Sequence, residues 1–214
     1  MKGLQKSLPV RPSTPAEIDA IVNVHLRSFS GFFLTFLGRK FLKQLYQGVL
    51  TDPSGLVWIV KEEDRLLGFV AGTLEPAGFY SRLIKGRILG FASASIWPLL
   101  RRPGIFFRLW RALRRPAESK AIAKGTALLM SIAVDPAAQN QGVGKMLTET
   151  FCDECVRQGA LRVCLTTDQH GNDQGNRFYA RMGFVLTRTF VTQEGRAMNE
   201  YIRVLSAKPN AVSP

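Results

Sequence analysis

The stretch from Leu128 to Phe184 constrains this chain most. Leu128-Leu129-Met130-Ser131-Ile132-Ala133-Val134 is an apolar run of strand length, closed by the turn Asp135-Pro136. Gln139-Asn140-Gln141-Gly142-Val143-Gly144-Lys145 follows and opens a segment in which Met146, Leu147, Thr150, Phe151 and Cys155 share one helical face. Glycine lets the backbone approach a ligand closely, and the unpaired N–H groups of a helix's first turn attract anions. The loop is therefore a phosphate cradle on physical grounds, although in isolation it would also serve as a tight strand-to-helix turn. It is neither the dinucleotide fingerprint nor the P-loop. Leu147 stands where the third glycine of the first belongs. Ala137 stands where the second needs its first glycine, and Lys145 is not followed by Ser or Thr.

Three spaced elements together resemble the GCN5-related N-acetyltransferase (GNAT) family. Gln139, Gly142 and Gly144 match its Q/R-x-x-G-x-G/A loop, Ala133-Val134-Asp135-Pro136 match the turn before it, and Asn172, Tyr179 and Gly183-Phe184 match its last helix. With plausible flanks the resemblance covers roughly residues 10 to 205. It implies acetyl-CoA as cosubstrate and an N-acetyltransferase activity. The implied cofactor residues are Ile132, Ala133 and Val134, which would pair the pantetheine arm as an added strand; Gln139, Asn140, Gln141, Gly142, Val143, Gly144 and Lys145, whose loop would hold the pyrophosphate; and Asn172, touching the pantetheine. Tyr179 would protonate or hydrogen-bond the departing thiolate, a sensible pairing for a phenol of pKa near 10 and a thiol near 8.5. Phe178, beside it, reads as a core aromatic. A local splay of the two central strands would open the thioester slot.

The chain has 214 residues, 46% hydrophobic and 21% charged, which suits one globular domain with a full core. Its net charge of +13 points to an anionic partner or substrate, of which CoA is one. Three cysteines, Cys152, Cys155 and Cys164, and two histidines, His25 and His170, make neither a zinc pattern nor a disulfide framework. Met1 to Arg11 lacks the apolar core of a secretory signal, and no run of eighteen apolar residues exists, so the expectation is a cytoplasmic protein with no spanning segment and no metal.

Along the chain, residues 1–9 read as a lead-in and residues 206–214 as a flexible tail. Thr14-Pro15-Ala16-Glu17 is a capping box that starts a helix with Ile18, Ile21, Val22 and Leu26 inward. His25, on or near that face, reads as a satisfied, semi-buried histidine. A helix over Arg39 to Leu50 ends at the turn Asp52-Pro53-Ser54-Gly55. Strands are expected at Leu56–Val60, Leu66–Leu74, Leu128–Val134, Leu161–Thr167, Phe184–Gln193 and Ala197–Leu205, with helices from the cradle to about Gln158 and from Gln174 to Met182. This order predicts an α/β (α+β) domain over residues 10–205, with one mixed central sheet and helices on both faces.

The connection from Phe79 to about residue 126 is longer than two strands need. Pro76 to Ala117 contains no acidic residue, and Ile105, Phe106, Leu109, Trp110 and Leu113 fall on one helical face with Arg108, Arg111 and Arg115 opposite or flanking. Such a basic amphipathic insertion covers the sheet, lies over the acceptor as a lid, or rests on anionic lipid. The apolar link Phe29 to Leu37 resembles the segment that lines the acceptor site in the family.

Acetyl transfer needs a neutral amine beside the thioester, a donor for the oxyanion and an acid for the thiol. A backbone amide near Ile132 to Val134 is the candidate oxyanion donor. Many relatives place a glutamate on the strand before the cradle, whereas Lys124 to Val134 contains no carboxylate. Glu75, Asp168 and His170 are the candidate bases, with a water relay or an amine arriving neutral as alternatives. The expected acceptor is a small amine, an amino sugar or a nucleotide-linked or membrane-proximal amine, with a protein N-terminus or lysine as the alternative. A non-catalytic CoA-binding protein, or a basic membrane or nucleic-acid adaptor, is the reading of a different class. Nucleic acid is disfavoured because the basic cluster is interleaved with apolar residues at helical spacing. Peripheral contact with an anionic membrane and a homodimer remain compatible with the sequence.

Overall fold

The computed structural model describes residues 9–29, 33–87, 90–91, 123–192 and 195–206. In chain order these form β1 (Val10–Pro12), α1 (Ile18–Ser28), α2 (Phe33–Phe36), α3 (Gly38–Thr51), β2 (Gly55–Glu62), β3 (Arg65–Thr73) and α4 (Pro76–Gly86). After the long connection come β4 (Thr126–Val134), α5 (Val143–Arg157), β5 (Arg162–Asp168), α6 (Asp173–Arg181), β6 (Val185–Val191) and β7 (Ala197–Val204). The capping box acts as the sequence predicts. The Glu17 carboxylate accepts the Thr14 backbone N–H at 2.8 Å, and Pro15–Glu17 form a 3-10 turn that leads into α1.

The strands make one sheet in the order β1-β2-β3-β4-β5-β7-β6. Every adjacent pair is antiparallel except β4 with β5, which is parallel. That pairing is brief: Thr126, Ala127 and Leu128 face Arg162, Val163 and Cys164, and then the strands part. β4 keeps its pairing with β3 as far as Val134, opposite Gly68, with a bulge where Gly72 faces Leu129 and Ala71 faces Ser131. Met130 is the extra residue. An extra residue bends and twists its strand, so the splay expected from the resemblance has a local cause.

The bulge also exchanges the faces of β4. Ala127 and Leu129 belong to the core under α5, and beyond Met130 it is Ile132 and Val134 that pack on that side while Ala133 turns to the other. A uniform alternation would have sent Ala133 to the α5 face. One core layer joins α1, α3 and α4 to the sheet through Ile21, Val22, Leu42, Tyr46, Phe69 and Phe79. The opposite layer joins α5 through Leu147 and Phe151 to Val70, Leu129, Val163 and Leu165, with Tyr179 and Phe184 packed at its margin.

Expected element ends shift by one or two residues, and two helices were not expected: α2 within the apolar link and α4 at the start of the long connection. α4 begins at Pro76 and buries Phe79 and Leu83, although Gly78 breaks its helical geometry at φ 77°. The basic amphipathic segment around Ile105 to Arg115 lies outside the described residues.

Gly72 shows how tightly α5 sits on the sheet. A Cβ there would stand 2.3 Å from the Leu128 carbonyl oxygen and 2.5 Å from the Phe151 ring. Gly72→Ala is therefore expected to cost about 1–3 kcal/mol through overpacking. The check is the urea midpoint, which falls with an unchanged slope if only stability has altered.

Candidate active site

The parting of β4 and β5 opens a cleft of about 830 Å³, floored by Ile132, Ala133 and Val134. Beyond Leu128 the β5-facing edge of β4 has no strand partner among the described residues. Backbone groups left this way require another hydrogen-bonding chain or water. An extended amide-bearing ligand laid along this edge would satisfy them.

At the head of the cleft lies the glycine loop. Gln139, Asn140, Gly142, Val143, Gly144 and Lys145 line it, whereas Gln141 does not, and its Nε2 donates to the Ala137 carbonyl at 3.4 Å. Asn140 and Gly142 adopt left-handed φ values of 63° and 79°. Gly142 caps α5, whose first intrahelical donor to it is Met146 N–H at 3.0 Å. The preceding amides, from Val143 to Lys145, are left for a ligand, with the positive end of the helix dipole behind them. A Cβ on Gly144 would lie 3.4 Å from the Phe178 ring, so glycine leaves the cradle's inner wall bare. Phe178, read from the sequence as a core aromatic, is instead a half-buried residue that lines the cleft.

Asp135 fixes the entry to this loop. It is buried, caps the 3-10 turn Pro136–Ala138 through the Ala137 N–H at 3.0 Å, and pairs with Arg27 at 2.6 Å and Arg65 at 3.1 Å. Burial opposes its ionisation, yet the Ala137 amide and the two guanidinium groups hold its carboxyl below the ordinary range. On the opposite side Ser28 Oγ donates to the Val134 carbonyl at 3.0 Å, tying the end of α1 to the end of β4. Ser28 and Phe29 both line the cleft, so the beginning of the apolar link borders it.

Tyr179 stands on α6 at the cleft wall, its ring 5.9 Å from those of Phe184 and Tyr201. Burial pushes its phenol up to about 12. Asn172 lines the cleft at the start of α6, and its Nδ2 donates to Thr167 Oγ1 at 2.6 Å. The residue that positions this helix is Asn176. Its Nδ2 donates to the carbonyls of Asn172 at 3.0 Å and Asp168 at 3.1 Å, while its Oδ1 accepts from Tyr201 Oη at 3.0 Å and Asn199 Nδ2 at 3.2 Å. One amide therefore ties the end of β5, the first turn of α6 and β7. In sequence Asn176 is simply a polar helix residue, and only the β7 register reveals its partners.

The cleft does not take in the candidate carboxylate bases. Glu75 follows β3 beyond Thr73, which pairs with Leu128 at the far end of β4 from the cleft. It lines a separate hollow of about 540 Å³ with Asp52, Ser54 and Arg82, and lies 3.8 Å from Arg82. Asp168 ends β5 but does not line the cleft; Arg196 holds its carboxylate at 2.6 Å. Strand position suggested these residues, but sheet direction moves the first away and an ion pair occupies the second. His170 is exposed and also outside the lining. Among the described lining residues the sole carboxylate is Glu149, 3.8 Å from Lys145 on the same helix.

His25 is more buried than expected and only half satisfied. Its Nδ1 lies 2.6 Å from Tyr46 Oη, its Nε2 has no partner, and burial lowers its pKa to about 4. It is a neutral core histidine. All three cysteines are free and buried, and no metal-ligating cluster occurs among the described residues. No helix among them is long and apolar enough to cross a membrane.

A glycine loop at a helix N-terminus, continued by an unpaired strand edge and a phenol, is compatible with an acyl-CoA, whose pantetheine arm is extended and bears two amides. Comparison with known proteins agrees. The acetyltransferase (GNAT) family model matches residues 18–184, and the chain belongs to that family. Among solved structures, the ribosomal-protein-S18-alanine N-acetyltransferase from Escherichia coli is 14% identical at a TM-score of 0.58, covering 96% of this chain and 99% of its own. Ard1 from Thermoplasma volcanium is 17% identical at 0.59, covering 93% and 98%. The PaiA N-acetyltransferase from Thermoplasma acidophilum, solved in complex with coenzyme A, is 13% identical at 0.55, covering 91% and 98%. At such identities these structures show the shared fold alone. No curated protein matches the sequence. The chain is an N-acetyltransferase, and acetyl-CoA is its cosubstrate.

Two measurements follow from this geometry. Asn176→Leu strands the hydroxyl of Tyr201 and the amide of Asn199, and is expected to cost about 1–3 kcal/mol by chemical denaturation. The Tyr179 phenol keeps its proton to higher pH in the folded state, about 12, than in the unfolded chain, about 10. Its contribution to stability is complete below pH about 10 and disappears as pH rises towards 12. Tyr179→Phe should remove that part of the alkaline decline, as read from melts across the interval.

Proposed function

We propose that this enzyme transfers the acetyl group of acetyl-CoA to the primary amine of a small anionic acceptor, with a nucleotide-linked amino sugar as the best match. The observation that carries the reading is the continuous cleft, which joins the glycine cradle, the unpaired edge of β4 and Tyr179 in one space. The net charge of +13 supports an acceptor that carries a phosphate. Bound acetyl-CoA supplies the activated carbonyl. Amides from Val143 to Lys145 bind its pyrophosphate, and the Ile132 to Val134 edge aligns the pantetheine and offers an amide to the developing oxyanion.

In this reading Tyr179 donates its hydroxyl to the leaving sulfur. A phenol near 12 is fully protonated at neutral pH, and it loses its proton less readily than a thiol near 8.5. Stabilisation of the thiolate by a hydrogen bond is therefore its main part, with solvent completing protonation. Among the described lining residues Glu149 is the sole carboxylate, so in this reading the amine loses its proton to water or arrives neutral.

A second acceptor, a protein N-terminus, draws support from the names of structural neighbours. These include a ribosomal-protein-S18-alanine N-acetyltransferase and, at 14% identity, Naa20 of Chaetomium thermophilum in complex with a bisubstrate analogue. Contact with an anionic membrane is supported only by the basic sequence around Ile105 to Arg115.

Thiol release from acetyl-CoA tests the reading with three acceptors: a nucleotide-linked amino sugar, the free amino sugar, and an alanine-starting peptide. The first should react best, and turnover of the peptide alone would replace the leading acceptor with the second. Tyr179→Phe should lower kcat by about 10²–10⁴-fold with little change in acetyl-CoA binding. Without a protein base, log kcat/KM should rise with pH and its midpoint should follow the acceptor amine's own pKa. Glu75→Gln and Asp168→Asn should leave that profile in place.

A further inference from the structure

The face of β4 away from α5 carries polar groups that the reaction described above does not use. Past the bulge at Met130, Ser131 pairs with Ala71, which lies in the layer of α1 and α3, so the serine side chain points into that layer. Behind it stand Tyr46 of α3 and His25 of α1, 1% and 2% exposed. Tyr46 Oη lies 2.6 Å from His25 Nδ1, and Ser131 hydrogen-bonds the same phenol. The surroundings are apolar. The Tyr46 ring meets Phe69 edge-on at 5.1 Å, and the His25 ring lies 4.7 Å from that of Phe29, which lines the cleft. Three polar side chains from three elements therefore form one line that ends beside Ile132, on the floor of the cleft. Ser131 is its half-buried end.

The line has a direction. Burial raises the pKa of the Tyr46 phenol, and Ser131 opposes the rise, as a hydroxyl does when it donates to the phenol oxygen. The phenol's own proton then goes to Nδ1, and the imidazole carries its proton on Nε2. That nitrogen is buried and has no partner. An unpaired buried N–H is a cost that two apolar side chains in place of His25 and Tyr46 would avoid. What the pair accomplishes is to direct the Ser131 proton inwards, so that the Oγ lone pairs face outwards. A hydroxyl left free to rotate would as readily donate to the lone pair of an incoming nitrogen and block its attack.

An amine attacking the thioester must come from the side that the cofactor leaves open. The cradle and α5 occupy one face of β4, so the open side is the one bounded by Phe29 and the end of α1. An attacking nitrogen aims its lone pair at the carbonyl carbon, and an oxygen that accepts one of its N–H groups fixes the approach. We propose that Ser131 accepts this hydrogen bond from the acceptor's amine, with Tyr46 and His25 as positioning residues that hold its hydroxyl in the receiving orientation. The line is not a base. Burial lowers His25 to about 4, so the ring stays neutral and the amine's proton still leaves to water. The inference rests on the acceptor reading above, a primary amine, and on its reaching β4 from the face opposite α5.

Thiol release from acetyl-CoA, with the nucleotide-linked amino sugar and the alanine-starting peptide as amines, tests the assignment. For the amine that reacts, Ser131→Ala should lower kcat/KM by about 10-fold, the loss of one neutral hydrogen bond, while calorimetry shows acetyl-CoA binding unchanged. Ser131→Thr keeps the hydroxyl and should keep most of the rate. His25→Leu combined with Tyr46→Phe removes both buried polar groups together, so the melting temperature should hold or rise while kcat/KM falls by about 3–10-fold. The same two changes placed on Ser131→Ala should produce no further fall, since they act only through that hydroxyl. Unaltered amine kinetics in Ser131→Ala would overturn the proposal. So would an equal fall from the His25 and Tyr46 changes with and without Ser131, which would make the pair merely structural. If neither amine reacts with the wild type, the acceptor reading fails and takes this assignment with it.

Discussion

The active cleft depends on an interruption in hydrogen bonding. A parallel strand pair buried between helical layers would ordinarily continue to the ends of its strands, since each unpaired backbone group inside a protein costs free energy. Here β4 and β5 share three residue pairs and then separate, while β4 stays attached to β3 through a bulge at Met130. The bulge takes the twist, and the separation leaves an unpaired strand edge beside the first turn of α5. In the proposed mode of binding, the extended arm of the cofactor would take the place of the missing strand and so complement the sheet as well as react.

Several part-buried contacts hold the two arms of the opening apart. On the β4 side, Asp135 gathers Arg27, Arg65 and the Ala137 amide, and Ser28 fixes the Val134 carbonyl. On the β5 side, Asn176 binds α6 to the end of β5 and to β7. The Asn176 amide, bonded through both its nitrogen and its oxygen, is costly to disturb because its part-buried partners would be left unsatisfied. The half-exposed Arg27 and Arg65 would instead turn to solvent, whereas loss of Asp135 would free the Ala137 amide. These contacts therefore fix the position of Tyr179 relative to the glycine loop. Burial in the same layer keeps the phenol protonated.

Charge is distributed unevenly in function. The cleft contains Lys145, Arg181 and Arg203 but only one carboxylate among its described lining residues. An acetyl-CoA site needs positive charge for the cofactor's phosphates, whereas the usual carboxylate base for the amine is missing from it. In the proposed mechanism the described cleft serves cofactor binding and alignment, and proton removal is left to solvent or to the chemistry of the acceptor itself.

Much of this was legible in the sequence because it depends on local rules. The capping box at Thr14, the turn at Asp52 to Gly55, the apolar run before the cradle and the left-handed glycine at its head are decided by neighbouring residues, as are the positions of Asn172 and Tyr179 on their helix. Helix α4 was less legible, since Gly78 interrupts its pattern. What the tertiary structure alone decided is which distant groups meet. Strand direction put Glu75 at the wrong end of the sheet, an ion pair with Arg196 claimed Asp168, and the register of β7 brought Arg203 to the cleft and Asn199 and Tyr201 to Asn176. Periodicity assigns a residue to a face of its own strand or helix; only the order and register of the assembled sheet determine what that face will touch.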